Sequence, residues 1–141
     1  MRELDEVTGI IIDESMRIHR ELGPALLESV YEAVLAKALE RRGLRVERQV
    51  PVRFEFDGIR FDEDLRLDLL VERCVVVELK SVEQIAPVHA KQLLTHLRLL
   101  RQPVGLLVNF GAATLKEGLK RIVNNLAPSD ASLLRVNRPS A

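Results

Sequence analysis

Residues Leu65 to Lys80 read L-R-L-D-L-L-V-E-R-C-V-V-V-E-L-K. The alternation predicts two strands joined by a tight turn. On both strands the odd positions are apolar: Leu65, Leu67, Leu69 and Val71, then Val75, Val77 and Leu79. Side chains along a strand alternate faces, so the odd set can share one buried face. The even set then shares the other face, which carries Asp68, Glu78 and Lys80. This grouping makes a geometric demand. A two-residue loop at Glu72-Arg73 would pair Asp68 with Val77 and send Glu78 to the opposite face. An odd loop, or a bulge, is required to bring Asp68 and Glu78 together.

Working outward, the chain before this hairpin is β-rich. Val46 to Val50 alternates, Pro51 fits an edge or a strand start, and Val52, Phe54 and Phe56 alternate with polar residues. Asp57-Gly58 signals a hairpin turn, and Ile59 and Phe61 return. Two helices precede these strands. Leu4, Val7, Ile11, Ile18 and Leu22 recur at helical spacing over 3–22, and Gly23-Pro24 stops the run. Leu27, Val30, Tyr31, Val34, Leu35 and Ala38 form the stripe of a helix over 25–42. After Lys80, a helix over 87–101 starts at Pro87 and buries Ala90, Leu93, Leu94, Leu97 and Leu100. His89, Gln92 and His96 lie along an adjacent stripe. Val104 to Asn109 is the apolar run of a strand buried on both faces. Residues 115–124 fit either period, and the spacing of Leu115, Leu119, Ile122 and Leu126 favours a helix. The expected order is α-α-β-β-β-β-α-β with one further element. That is an α/β fold, a mixed β-sheet flanked by helices, in one domain over 1–126 with a flexible tail over 127–141.

Lys plus Arg equals Asp plus Glu, 21 of each in 141 residues, so the charge balance gives no basic surplus for gripping nucleic acid. A local basic stripe remains compatible with that total. The single cysteine, Cys74, excludes an internal disulfide and fits a reducing compartment. No apolar run approaches the roughly 20 residues a membrane span needs. The expectation is a cytoplasmic, soluble chain without a membrane partner.

The even face of the hairpin carries chemistry. Phosphodiester cleavage needs a held metal ion, an activated water, and positive charge near the scissile phosphate. Mg²⁺ takes hard oxygen ligands, commonly one or two carboxylates with water and substrate oxygens. Asp68 and Glu78 can supply the carboxylates and the Leu79 carbonyl a third oxygen, while Lys80 orients or deprotonates the water. Gln92 on the following helix and Glu28 on the second helix are candidates for the same pocket. His89, His96 and Arg66 are candidates for substrate contact, and His19 reads as a surface or packing residue. The blander alternative is a half-exposed hairpin, where charged residues alternate with apolar ones for solubility alone.

The segments that surround these residues form a recognisable set. They are G-P-A-L-L-E-S-V-Y-E (23–32), E-R-Q-V-P (47–51), R-L-D-L-L-V-E (66–72), V-V-V-E-L-K-S-V-E (75–83), H-A-K-Q-L-L-T-H-L (89–97) and G-L-L-V-N-F-G (105–111). In that order the chain resembles the GxxExxY group of small bacterial proteins, within the PD-(D/E)xK nuclease superfamily. The resemblance implies a restriction-endonuclease-like core and Mg²⁺-dependent nuclease chemistry, with Mn²⁺ as a substitute. It implies Asp68 and Glu78 as metal ligands and Lys80 as the catalytic lysine. Glu28 matches the acid of the first core helix and Gln92 the glutamine of the later one. Two positions depart from the pattern: Ala25 stands where the naming motif begins with glycine, and His96 stands where related nucleases often carry Tyr.

The leading expectation is therefore a nuclease acting on DNA. The alternative is a nucleic-acid-binding or assembly module that keeps the fold without the catalysis, which the neutral charge favours. A homodimer or a protein partner would supply grip that so small a chain lacks.

Overall fold

In the computed structural model, which describes residues 3–125, eleven elements follow one another. They are α1 (Leu4–Leu22), α2 (Glu28–Arg41), β1 (Val46–Pro51), β2 (Phe54–Phe56), β3 (Ile59–Phe61), β4 (Arg66–Val71), β5 (Val75–Lys80), α3 (Pro87–Leu100), β6 (Val104–Asn109), α4 (Leu115–Gly118) and β7 (Leu119–Val123). The tail expected over 127–141 lies outside the described residues.

The β4–β5 connection meets the geometric demand. Val71 faces Val75, so three residues, Glu72 to Cys74, form the loop. Glu72 and Arg73 both take left-handed backbone angles (φ 51° and 54°), and the Cys74 N–H bonds the Val71 carbonyl at 3.1 Å. Two left-handed central residues match the twist of an antiparallel pair, and Cys74 is the extra residue that makes the count odd. Leu70 then faces Val76 and Leu69 faces Val77. Even positions meet even positions.

Five strands form one sheet in the order β1-β4-β5-β6-β7. Only β5 and β6 run parallel, and α3 is the crossover between them. The sheet is covered on both faces. Leu69, Val71, Val75, Val77 and Leu79 join Val7, Ile11, Leu35 and Leu39 of α1 and α2 in one cluster. Leu70, Val76 and Leu107 join Leu93, Leu97 and Leu100 of α3 in the other. β6 has cover on both sides, and all six of its residues are buried. Gly105 allows α3 to approach closely: a Cβ there would lie 2.9 Å from Leu93 Cδ1.

Three expectations are corrected. Leu65 and Leu67 do not share the face of Leu69; Leu67 packs with Val50 and Val52 in the cluster beneath α3, and Leu65 is exposed. The alternation shifts where the β1–β4 ladder is interrupted opposite Asp68. Five strands rather than the expected four precede α3, because the Val52 N–H turns to the Leu65 carbonyl (2.8 Å) and splits Val46–Phe56 into β1 and one arm of a separate β2–β3 ribbon. Helix over 115–124 stops after one turn. From Leu119 the chain pairs antiparallel with β6, from Val108↔Leu119 to Val104↔Val123. A continued helix would leave the buried β6 with an unpaired backbone edge, and that demand overrides the local spacing.

The end of β5 is tied to the end of β6. The Phe110 N–H bonds the Lys80 carbonyl at 2.9 Å. Asn109 is fully buried; its Oδ1 accepts from the Val82 and Gly111 N–H groups at 3.0 Å each, and its Nδ2 donates to the Val82 carbonyl at 2.8 Å. Asn109→Ala strands three backbone groups and should cost about 2–4 kcal/mol, lowering the melting temperature by roughly 10 °C in a calorimetric scan.

Candidate active site

The even residues of β4 and β5 divide along the strands. Leu70 and Val76 lie beneath α3, whereas Asp68, Glu78 and Lys80 lie beyond its apolar stripe and line a cavity of about 590 Å³. Arg66 and Leu65 line it from the start of β4, and Glu28 from the first residue of α2. His89, Lys91, Gln92, Thr95 and His96 line it from α3. Glu28, Asp68, Glu78, Lys80, Gln92, His89, His96 and Arg66, separated by up to 68 positions in sequence, thus share one cavity. Leu79 differs: its side chain is buried on the opposite face, and its backbone N–H donates to Asp68 Oδ2 at 2.7 Å.

Local chemistry places each group. Glu28 begins α2 because the preceding loop is anchored twice. The Tyr31 hydroxyl donates to the Gly23 carbonyl and accepts the Leu26 N–H at 3.2 Å, while its ring stacks on Phe110 with centroids 4.4 Å apart. Ser81 Oγ donates to the Leu26 carbonyl at 2.7 Å. His89 closes the first turn of α3: its N–H bonds the Ala86 carbonyl at 3.0 Å, and its Nδ1 accepts the Ala86 N–H at 3.1 Å. In neutral His89 the proton therefore sits on Nε2. His96 Nδ1 lies 3.4 Å from Glu78 Oε1. Arg66 Nε lies 3.2 Å from Asp64 Oδ1. His19 is a packing residue, its Nε2 2.8 Å from the Ala112 carbonyl oxygen.

Sequence reasoning passed over Tyr31, Ser81, Lys91 and Thr95 as residues of the site or its supports. It also passed over Glu32 and Gln49. Glu32 is buried, with Arg48 Nε at 3.1 Å from its Oε2 and Gln49 Nε2 at 2.6 Å from its Oε1. All six stood inside the segments that carried the resemblance; what was missing was the pairing of distant segments.

The carboxylates crowd one another. Burial pushes Asp68 up to about 6 from its usual 3.8, and the charges of Glu78, Glu32 and Glu28 push the same way, against the Leu79 N–H. Desolvation, rather than the Glu78 charge, is the larger cause.

The sequence profile of the PD-(D/E)XK nuclease superfamily matches residues 5–122. The chain belongs to that superfamily. PD-(D/E)XK proteins are nucleases, generally dependent on a divalent metal, and their substrate is nucleic acid. The mixed five-stranded sheet between helices is a restriction-endonuclease-like fold. The crystal structure of SSO0001 is similar at 18% sequence identity and a TM-score of 0.49, over 92% of this chain and 71% of that one. No curated protein matches. Among the described residues, no helix is long and apolar enough to cross a membrane.

A divalent metal fits this PD-(D/E)XK cavity by the chemistry of its donors. Asp68 and Glu78 offer hard oxygens that repel one another, and among the described residues no Lys or Arg forms an ion pair with either. No three His, Cys, Asp or Glu side chains among the described residues cage an ion by themselves. Two carboxylates completed by water and substrate oxygens is the arrangement Mg²⁺ favours.

The raised Asp68 pKa has a signed consequence for the metal-free protein. The fold holds the Asp68 proton more tightly than the unfolded chain does, so burial of Asp68 is tolerated below about pH 4. Stability is lost as pH rises through about 6. Asp68→Asn should therefore raise stability in EDTA at pH 8, by about 1–2 kcal/mol after allowance for solvent screening, and leave it unchanged at pH 4. Thermal denaturation at the two pH values checks the sign.

Proposed function

We propose that this chain is a Mg²⁺-dependent nuclease of the GxxExxY group that hydrolyses phosphodiester bonds in DNA. The observation that carries the reading is the cavity at the end of β5 that Asp68, Glu78 and Lys80 line together with Glu28 and Gln92. Asp68 and Glu78 would hold the metal, with the Leu79 carbonyl as a third oxygen. When bound, Mg²⁺ would polarise the phosphate and lower the pKa of a coordinated water.

The remaining residues act around that centre. Lys80, on the same face as Glu78, orients or deprotonates the attacking water and stabilises the charge that develops on the phosphate. Glu28 adds a second acidic contact from α2, and the Gln92 amide reaches the same space from α3. His89 presents its Nε2–H as a donor, and Arg66 and His96 contact the substrate. His96 also approaches Glu78 closely enough to steady it. Whole-chain charge balance supplies little general attraction for DNA, so a second copy or a partner protein contributes grip. Cytoplasmic residence agrees with the lone thiol of Cys74.

Purified protein incubated with labelled single- and double-stranded DNA, and with RNA as the competing substrate, tests the reading. Cleavage of DNA is expected in Mg²⁺ or Mn²⁺ and is expected to stop in EDTA. Lys80→Ala and Asp68→Ala should each lower the rate about 100-fold or more. A wild-type protein that binds DNA, takes up no Mg²⁺ or Mn²⁺ in calorimetry and cuts nothing would instead be a binding module.

A further inference from the structure

Gln49 occupies a left-handed backbone conformation, φ 51°, inside β1. For a residue other than glycine or asparagine this is strained by about 1 kcal/mol or more. The flanking residues pair normally, Arg48 with Leu69 and Val50 with Leu67, while Gln49, which that register sets opposite Asp68, is skipped by the ladder. The position is exposed, so core packing does not call for a glutamine here. Strain at such a place persists where surrounding contacts over-determine it.

Those contacts all lead to the candidate site. Gln49 Nε2 donates to Glu32 Oε1 at 2.6 Å and reaches toward Asp68 Oδ1 at 3.5 Å. An amide NH₂ carries two hydrogens and can serve two carboxylates at once. Glu32 is a fixed anchor, being buried and paired with Arg48. The other Asp68 oxygen, Oδ2, is held by the Leu79 N–H. The Gln49 carbonyl accepts from Arg66 Nη1 at 3.4 Å. Through its side chain and its carbonyl, Gln49 touches both even residues of β4 that line the cavity.

We propose that Gln49 is a positioning residue: its amide, anchored on Glu32, holds the Asp68 carboxylate in the orientation that receives the divalent metal. The inference rests on the metal-dependent reading of this site. It assigns the strained turn of β1 to the site rather than to the shape of the sheet. Groups that orient a ligand from behind typically change metal affinity 10–100-fold when removed.

Gln49→Gly is the test, since glycine adopts the same backbone without strain. The melting temperature should hold or rise. In the metal-free protein the Leu79 amide resonance should shift, because its acceptor is released to reorient. Calorimetric titration with Mn²⁺ should show affinity weakened about 10–100-fold. A Leu79 resonance and a Mn²⁺ affinity equal to wild type overturn the proposal. So does a fall in melting temperature with Mn²⁺ affinity unchanged, which is what a purely structural role would give. If wild type takes up no Mn²⁺, the metal-dependent reading fails by itself. The Leu79 resonance then decides the matter for Gln49: a shift supports its hold on Asp68, and no shift overturns it.

Discussion

The register of one hairpin sets everything at the site. Val71 opposite Val75 requires three loop residues, and the left-handed Glu72 and Arg73 with the extra Cys74 supply them. With that count, the even residues of β4 and β5 fall on one face; with two loop residues Glu78 would project toward α1 and α2, into the cluster built from Val7, Ile11 and Leu35. A charged side chain in that cluster would lack any compensating partner, so burial of the odd residues and grouping of the even ones enforce each other. The parallel β5–β6 pair then carries the chain from Lys80 through α3, which places the polar stripe of that helix beside the same face.

Grouping carboxylates this way works against the stability of the metal-free fold. Asp68 is pushed up to about 6, burial being the main cause. Elsewhere in the chain a buried acid is neutralised internally. Glu14 is held below its ordinary pKa by Arg17 and Arg42, and Glu32 is paired with Arg48. Both kinds of environment occur among the described residues, so the uncompensated Asp68 at the cavity is not a general feature of the electrostatics there. Perturbation of this kind concentrates at functional sites.

Much of the fold was legible in the sequence, and the reasons differ by element. α1 and α3 have strong helical periods bounded by Gly23-Pro24 and Pro87, β5 alternates, and β6 is a continuous apolar run. The odd loop followed from asking what would bring Asp68 and Glu78 together. β7 was not legible, because Leu115 and Leu119 fit a helix with Ile122 and an alternating strand with Val123, and only the open edge of β6 decides between them. Leu67 was misplaced because alternation presumes an uninterrupted ladder, and the interruption lies in Gln49 on another strand. Of the candidate site residues, all but Leu79 were placed on the cavity. His89 has a second duty, capping α3 through Ala86, that its spacing beside Gln92 did not disclose.

The segments that carried the resemblance divide into two kinds once the fold is known. Those around Asp68, Glu78 and Gln92 put polar groups on the cavity. The segment 105–111 contributes only Leu107 to its lining, yet it holds the site from behind. The Phe110 N–H fixes the Lys80 carbonyl, and its ring supports Tyr31, whose hydroxyl secures the loop that presents Glu28. Asn109 clamps Val82, and Gly111 passes so near that a Cβ would lie 2.5 Å from the Val82 backbone. Two acids from separate elements and a lysine can converge only if the strand end and the helix start are held against one frame. The end of β6 is that frame, which is why a buried, chemically inert stretch belongs to the same pattern as the charged residues it positions.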